Sequence, residues 1–214
     1  MKFSLSIAQA FLVALVASAP VEILERKTYG TTANEYTQGT CKSVILFFAR
    51  GTTQAGNLGD MPGQQFATAL SNAIGTDFAA QGISYSASLV GNLASGGCPA
   101  DEAEDMAVLI TQAATKCPSA KLVVAGYSQG AAMVHRSIEQ LSAATVAKIA
   151  AAVTFGDTQK QQDGGKIPNI AVAKTKIYCN SGDLVCQGTL IITSAHGDYT
   201  SSVNPAVTFI KTLL

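Results

Sequence analysis

Three features of this 214-residue chain predict an α/β fold built on a mostly parallel sheet. Short apolar runs alternate with segments of helical period. No repeat, low-complexity tract or linker interrupts that alternation, so one domain accounts for the chain. One strand-like run passes through Gly-x-Ser-x-Gly directly into a helical pattern, the strand–turn–helix signature of a nucleophile elbow.

The elements follow in order. Val44-Ile45-Leu46-Phe47-Phe48 is an unbroken apolar run and reads as a strand buried on both faces. It ends in the polar loop Ala49-Arg50-Gly51-Thr52-Thr53. Over residues 63–78, Phe66, Leu70, Ala73 and Ile74 recur at helical spacing. Residues 84–89 alternate weakly and read as a strand, and residues 91–99 as a loop. Asp101, Glu102, Glu104 and Asp105 open the next helix, where the dipole favours acid; Met106, Leu109, Ile110 and Ala113 form its buried stripe and Pro118 ends it. The strand from Lys121 leads into Gly126-Tyr127-Ser128-Gln129-Gly130, and Met133, Ile138 and Leu141 mark the core side of the following helix. Residues 149–155 and 175–179 are two more strands, and residues 206–214 close the chain as a helix.

Composition narrows the function. Hydrophobic residues make up 48% and charged residues 13%, which excludes a disordered chain. The formal net charge of +0 supplies no basic field for nucleic acid or an anionic membrane and suits an uncharged or apolar substrate. The N-terminus reads as an address. Met1-Lys2 precedes an apolar run over residues 10–17 and a small-residue site at Ala17-Ser18-Ala19, so residues 1–19 are expected to be a signal peptide and the protein secreted. The run is shorter than the roughly 20 residues that span a bilayer. Residues 20–40 lack any period and read as a pro-segment or extended arm ahead of a single domain over residues 41–214.

Five cysteines agree with an oxidising destination. Cys179 and Cys186 are near enough to staple one loop, and Cys41 with Cys117 would tie the start of one element to the end of another; spacing alone leaves the pairing open. Cys98 is the one left over, expected as a small buried hydrophobe. The Cys and His spacing suits no zinc site, so no metal and no cofactor are expected.

A serine hydroxyl needs an adjacent base to act at neutral pH. The chain has two histidines. His135 lies seven residues beyond Ser128 in the same helix, about 10 Å away along the axis, and is expected to be a satisfied or surface residue. His196, in the loop-like Ser194-Ala195-His196-Gly197, is therefore the expected base. Asp157, Asp183 and Asp198 are candidates for the acid that orients it. Asp157 and Asp183 both follow strands, and a bridge between the cysteines flanking Asp183 would fix its loop, which favours Asp183. Either keeps the order Ser…Asp…His of an α/β-hydrolase. The oxyanion hole needs two donors: the backbone N–H of Gln129, and a group from the loop after the first strand, where Thr52 carries both N–H and hydroxyl.

Phe48-Ala49-Arg50-Gly51-Thr52, the elbow, Cys179-Asn180-Ser181-Gly182-Asp183-Leu184-Val185-Cys186 and the later His196 together resemble the secreted fungal cutinases. The resemblance runs from about Cys41 to the C-terminus. It implies a small lidless α/β-hydrolase fold with its sheet flanked by helices, a triad of Ser128, Asp183 and His196, and an oxyanion hole from Thr52 and Gln129. It also implies disulfides Cys41–Cys117 and Cys179–Cys186. The family commonly carries Ser where this chain has Thr52; the hydroxyl is kept and a methyl added. By the same resemblance, Leu190 and Ile192 are expected on an apolar rim beside His196 that receives the acyl chain, with Val185 nearby and Asn92 bonded to the Thr52 hydroxyl. The expected partner is a polyester or small ester substrate, with no nucleic acid, no membrane span and a monomeric chain. Rival readings are an acetylxylan esterase of the same fold, a lipase, or a non-catalytic secreted surface-binding protein.

Overall fold

The computed structural model describes residues 26–214; the expected signal peptide and residues 20–25 lie outside them. Tyr29, Ala33 and Tyr36 are buried in the core and residues Glu35–Gln38 form a short helix, α1. The folded domain thus begins before residue 41, and from Tyr29 to Tyr36 the expected pro-segment or arm is part of the core. Its three buried residues are too few to stand out among the charged, Gly and Thr positions around them.

Five strands form one parallel sheet: β1 (Val44–Ala49), β2 (Phe78–Gly82), β3 (Lys121–Tyr127), β4 (Ile149–Phe155) and β5 (Thr175–Tyr178), in the order β2-β1-β3-β4-β5. The reason the central strands read as continuous apolar runs is visible in where alternate residues go. Ile45, Phe47, Leu122 and Val124 enter one core, and Leu46, Phe48, Val123 and Ala125 enter the other on the opposite face. The helices flanking the sheet are α2 (Gly63–Ile74), α3 (Ala100–Lys116), α4 (Gln129–Glu139), α5 (Ala143–Lys148) and α6 (Thr200–Lys211). Met106 and Ile110 of α3 and Met133 and Ile138 of α4 fill the first core; Phe66 and Leu70 of α2 and Val203 and Ile210 of α6 fill the second. Fully burying each such side chain contributes roughly 1.5–3 kcal/mol.

Three expected elements differ. The helix over 63–78 stops at Ile74, because Gly75 turns the chain at φ 93° and its N–H closes on Ser71 O. Phe78 then opens β2, whose buried run Phe-Ala-Ala-Gln-Gly hides its strand character behind small residues and a glutamine. Residues 84–89 form no strand: the Arg50 guanidinium donates to the Tyr85 carbonyl at 2.8 Å and Ile83 at 3.4 Å, holding the segment as an ordered loop. The last helix starts at Thr200 rather than Ala206 and carries Pro205 inside it.

Both disulfides form as the resemblance implied. Cys41–Cys117 joins the approach to β1 to the end of α3 and closes a loop with a sequence separation of 76. Constraining a loop of that length contributes about 4 kcal/mol in the chain-entropy account. Cys98 is buried and free, and burial pushes its thiol up to about 12, so it behaves as the small hydrophobe expected.

Candidate active site

Ser128 occupies the turn between β3 and α4 at φ 56°, ψ −120°, a backbone conformation strained for any residue but glycine. The turn closes only because its flanks are bare. A Cβ on Gly126 would stand 2.1 Å from Gly130 O, and one on Gly130 would stand 2.0 Å from Ala49 O. Strand, turn and helix therefore pass closer than side chains permit. The strain lifts Ser128 Oγ towards the loop that carries His196.

His196 sits in a short 3-10 turn, Ser194–His196, and is buried. Its Nε2 is 2.9 Å from Ser128 Oγ and its Nδ1 is 2.9 Å from Asp183 Oδ2. With Nδ1 protonated, the ring donates to the carboxylate and Nε2 accepts from the serine hydroxyl. Asp183 lies in the disulfide loop after β5, where the Val185 N–H donates to its other oxygen at 3.0 Å. Asn180 fastens this loop to the histidine loop, its Nδ2 donating to Ala195 O at 2.8 Å and Asp198 O at 2.7 Å. Tyr127 stacks on the imidazole, centroids 5.2 Å apart, and its hydroxyl donates to His196 O at 2.8 Å.

The two other candidate acids are committed elsewhere. Asp157 Oδ2 is 2.9 Å from His135 Nε2 and accepts from the Thr154 hydroxyl at 2.6 Å, while its Oδ1 accepts the Gln159 N–H at 2.8 Å. Asp198 accepts the Thr200 N–H at the start of α6. His135 is satisfied rather than exposed: it is fully buried between Asp157 and Asp163, with Arg136 also on Asp163. Burial alone would depress its pKa, but hydrogen bonds and charge from Asp157 and Asp163 outweigh that and hold it up at about 9. A folded value above the ordinary 6.5 means stability present below that pH and lost as pH rises through about 9. The loss amounts to about 3 kcal/mol. Wild-type melting temperature is accordingly expected to fall as pH rises from about 6.5 to about 9. A His135→Gln variant is expected to melt lower at neutral pH and to be flatter across that range.

A cleft of 340 Å³ opens at the serine, lined by Ser128, His196, Thr52, Asn92, the buried Val185 and the rim residues Leu190 and Ile192. Asn92 Nδ2 donates to Thr52 Oγ1 at 3.0 Å, the contact expected from the sequence. Thr53 N–H donates to Ala87 O at 2.8 Å, tying the Thr52 loop to the segment that carries Asn92. Gln129 provides the first amide of α4, a group with no intrahelical acceptor. The wall also contains Thr53, Tyr127, Thr158 and Leu89, which sequence reasoning missed. Leu89, Val90, Leu93 and Ile191 stand out to solvent beside Leu190 and Ile192. The apolar pair Leu89-Val90, with Leu93 three residues on, is the signal available in the sequence.

A serine raised on a strained strand-to-helix turn at the C-terminal end of the central strand of a parallel sheet, with an imidazole returned to it from a late loop, defines the small α/β hydrolases. The family model for cutinase matches residues 40–214. Cutinase CUT2 of Pyricularia oryzae is 57% identical over 211 residues, covering 98% of each chain. Cutinase 1 of Fusarium vanettenii is 42% identical over 193 residues, covering 87% of this chain and 84% of that one. The structure of Trichoderma reesei cutinase in complex with a phosphonate inhibitor superimposes with a TM-score of 0.77 at 36% identity, covering 86% of this chain and 80% of that one. The catalytic core domain of acetyl xylan esterase from Trichoderma reesei shares the fold at a TM-score of 0.61 and 22% identity, covering 81% of this chain and 100% of that one. This chain belongs to the cutinase family of ester hydrolases.

Proposed function

We propose that the protein is a secreted serine esterase that hydrolyses cutin-type polyesters and short-chain soluble esters through an acyl-enzyme. The observation that carries this reading is the hydrogen-bonded line Ser128–His196–Asp183 opening directly onto an exposed apolar rim. Ser128 Oγ attacks the ester carbonyl as His196 Nε2 takes its proton, and Asp183 steadies the imidazolium. The backbone N–H groups of Thr52 and Gln129, with the Thr52 hydroxyl, hold the oxyanion. His196 returns the proton to the departing alkoxide, then deprotonates water for the attack that frees the acid and Ser128. Secretion is supported by both disulfides, which persist in oxidising compartments.

Leu89, Val90, Leu93, Leu190, Ile191 and Ile192 are between 52% and 75% exposed, an apolar margin suited to an aliphatic polymer surface rather than to a sugar chain. On p-nitrophenyl esters of increasing length, cutin and acetylated xylan, acids are expected from the soluble esters and cutin and little acetate from xylan. The converse pattern would assign the protein as an acetylxylan esterase. Interfacial activation on long-chain triglycerides would assign it as a lipase. Replacing Leu190 and Ile192 with serine is expected to reduce cutin hydrolysis more than hydrolysis of a soluble butyrate ester.

Asn92 fixes the Thr52 hydroxyl as a donor into the cleft. Asn92→Ala is expected to lower kcat about tenfold, less than the 10²–10³ of deleting an oxyanion donor outright, with little change in KM. Steady-state kinetics on a soluble ester measure both constants.

A further inference from the structure

Tyr199 has no role in the mechanism above, yet it meets that mechanism at its acid. Its hydroxyl donates to Asp183 Oδ2 at 2.5 Å, the same oxygen that accepts from His196 Nδ1. It accepts in turn from the Asn180 N–H at 3.1 Å. The phenol is 1% exposed, and its ring is wedged between Phe155 and Tyr127 at centroid distances of 6.1 and 5.9 Å. Glycine at 156 makes this fit possible, since a Cβ there would stand 2.8 Å from His196 Cε1 and 3.1 Å from Tyr199 Cε2. The ring is held too tightly to swing away from the carboxylate.

We propose that Tyr199 is a positioning residue that acts through Asp183: its hydroxyl shares the oxygen on which His196 depends and so sets the pH at which His196 becomes free to act as base. The proposal rests on the triad reading given above. A donor on a carboxylate stabilises the anion and draws charge from it. The carboxylate oxygen shared in this way attracts the imidazolium less strongly than an unshared one would. The donor is permanent over the working range, because burial, reinforced by Asp183, pushes the Tyr199 phenol well above its ordinary value. The titratable groups around Asp183 are His196 and Tyr199, with Tyr127 behind the imidazole and Asp60 acting on Tyr127 from beyond it. Its remaining polar contacts are the Val185 N–H and the bridged sulfur of Cys186 at 3.7 Å. Among the described residues no lysine or arginine bonds to it.

The test is Tyr199→Phe, which keeps the ring and removes the donor. Two midpoints are measured: the acidic limb of kcat/KM against pH on a soluble ester, and the titration of the His196 ring by NMR, which needs no turnover. Both are expected to rise by about half a unit to one unit. A variant with lower kcat and both midpoints unmoved would overturn the proposal, because loss of packing alone lowers rate without moving the titration. Should wild type show no Ser128-dependent hydrolysis, the esterase reading fails, while the His196 titration still decides the role of Tyr199. If Tyr199→Phe does not fold, 3-fluorotyrosine placed at residue 199, a stronger donor of nearly the same shape, is expected to lower both midpoints. No movement with that substitution would equally overturn the proposal.

Discussion

Replacing Ser128 with alanine is expected to lower kcat on a p-nitrophenyl ester by about 10⁶-fold, the scale found when a serine hydrolase loses its nucleophile. The loss follows from geometry. Among the described residues no other hydroxyl bonds to His196 Nε2, which faces Ser128 Oγ at 2.9 Å. Thr158, another hydroxyl residue of the cleft, directs its side chain to the Ser128 carbonyl instead. The cleft and its apolar rim are untouched by the substitution, so affinity for a non-hydrolysable ester analogue is expected to persist. Loss of turnover with retained binding separates a missing nucleophile from a collapsed site. Full activity in the alanine variant would remove Ser128 from the chemistry.

Asp183→Asn is expected to lower kcat by about 10⁴-fold with KM little changed. An amide in place of the carboxylate can present N–H to His196 Nδ1, which favours the tautomer with its proton on Nε2, facing a hydroxyl it must deprotonate. The loop should keep its shape, because the Cys179–Cys186 bridge and the Asn180 bonds to Ala195 and Asp198 hold it independently. Unchanged near-ultraviolet circular dichroism beside the rate loss would place the effect in the proton relay. Asp157→Asn provides the contrast. It breaks the buried ion cluster at His135 and is expected to cost melting temperature rather than chemistry.

Much of this site was legible because its parts are local. The elbow, the loop beginning at Thr52 and the cysteine-bracketed aspartate each announce themselves within a few residues. Choosing between Asp157 and Asp183 was harder, since both follow strands and only the cysteines around Asp183 favour it. His135, seven residues into the elbow helix, claims Asp157 from behind the sheet's edge, and no spacing in the chain reveals that pairing. Tyr199 was invisible for the same reason: it lies three residues past His196 and ahead of the helix read from residue 206, with nothing local to mark it, and only the return of that loop onto Asp183 gives its hydroxyl a purpose. The misplaced strand at 84–89 shows a different failure. Its alternation is real, with Ala87 buried and Ser86 exposed, but Arg50 takes the carbonyls a neighbouring strand would have used.

The central claim is that the hydroxyl of Ser128 is the attacking group, and a p-nitrophenyl alkylphosphonate tests it most directly. Intact-mass and peptide mapping are expected to find one phosphonyl group per chain, on the peptide containing Ser128, with matching loss of esterase activity and no label on the alanine variant. Complete inactivation with the phosphorus on another residue, or undiminished hydrolysis after Ser128 is labelled, would contradict it.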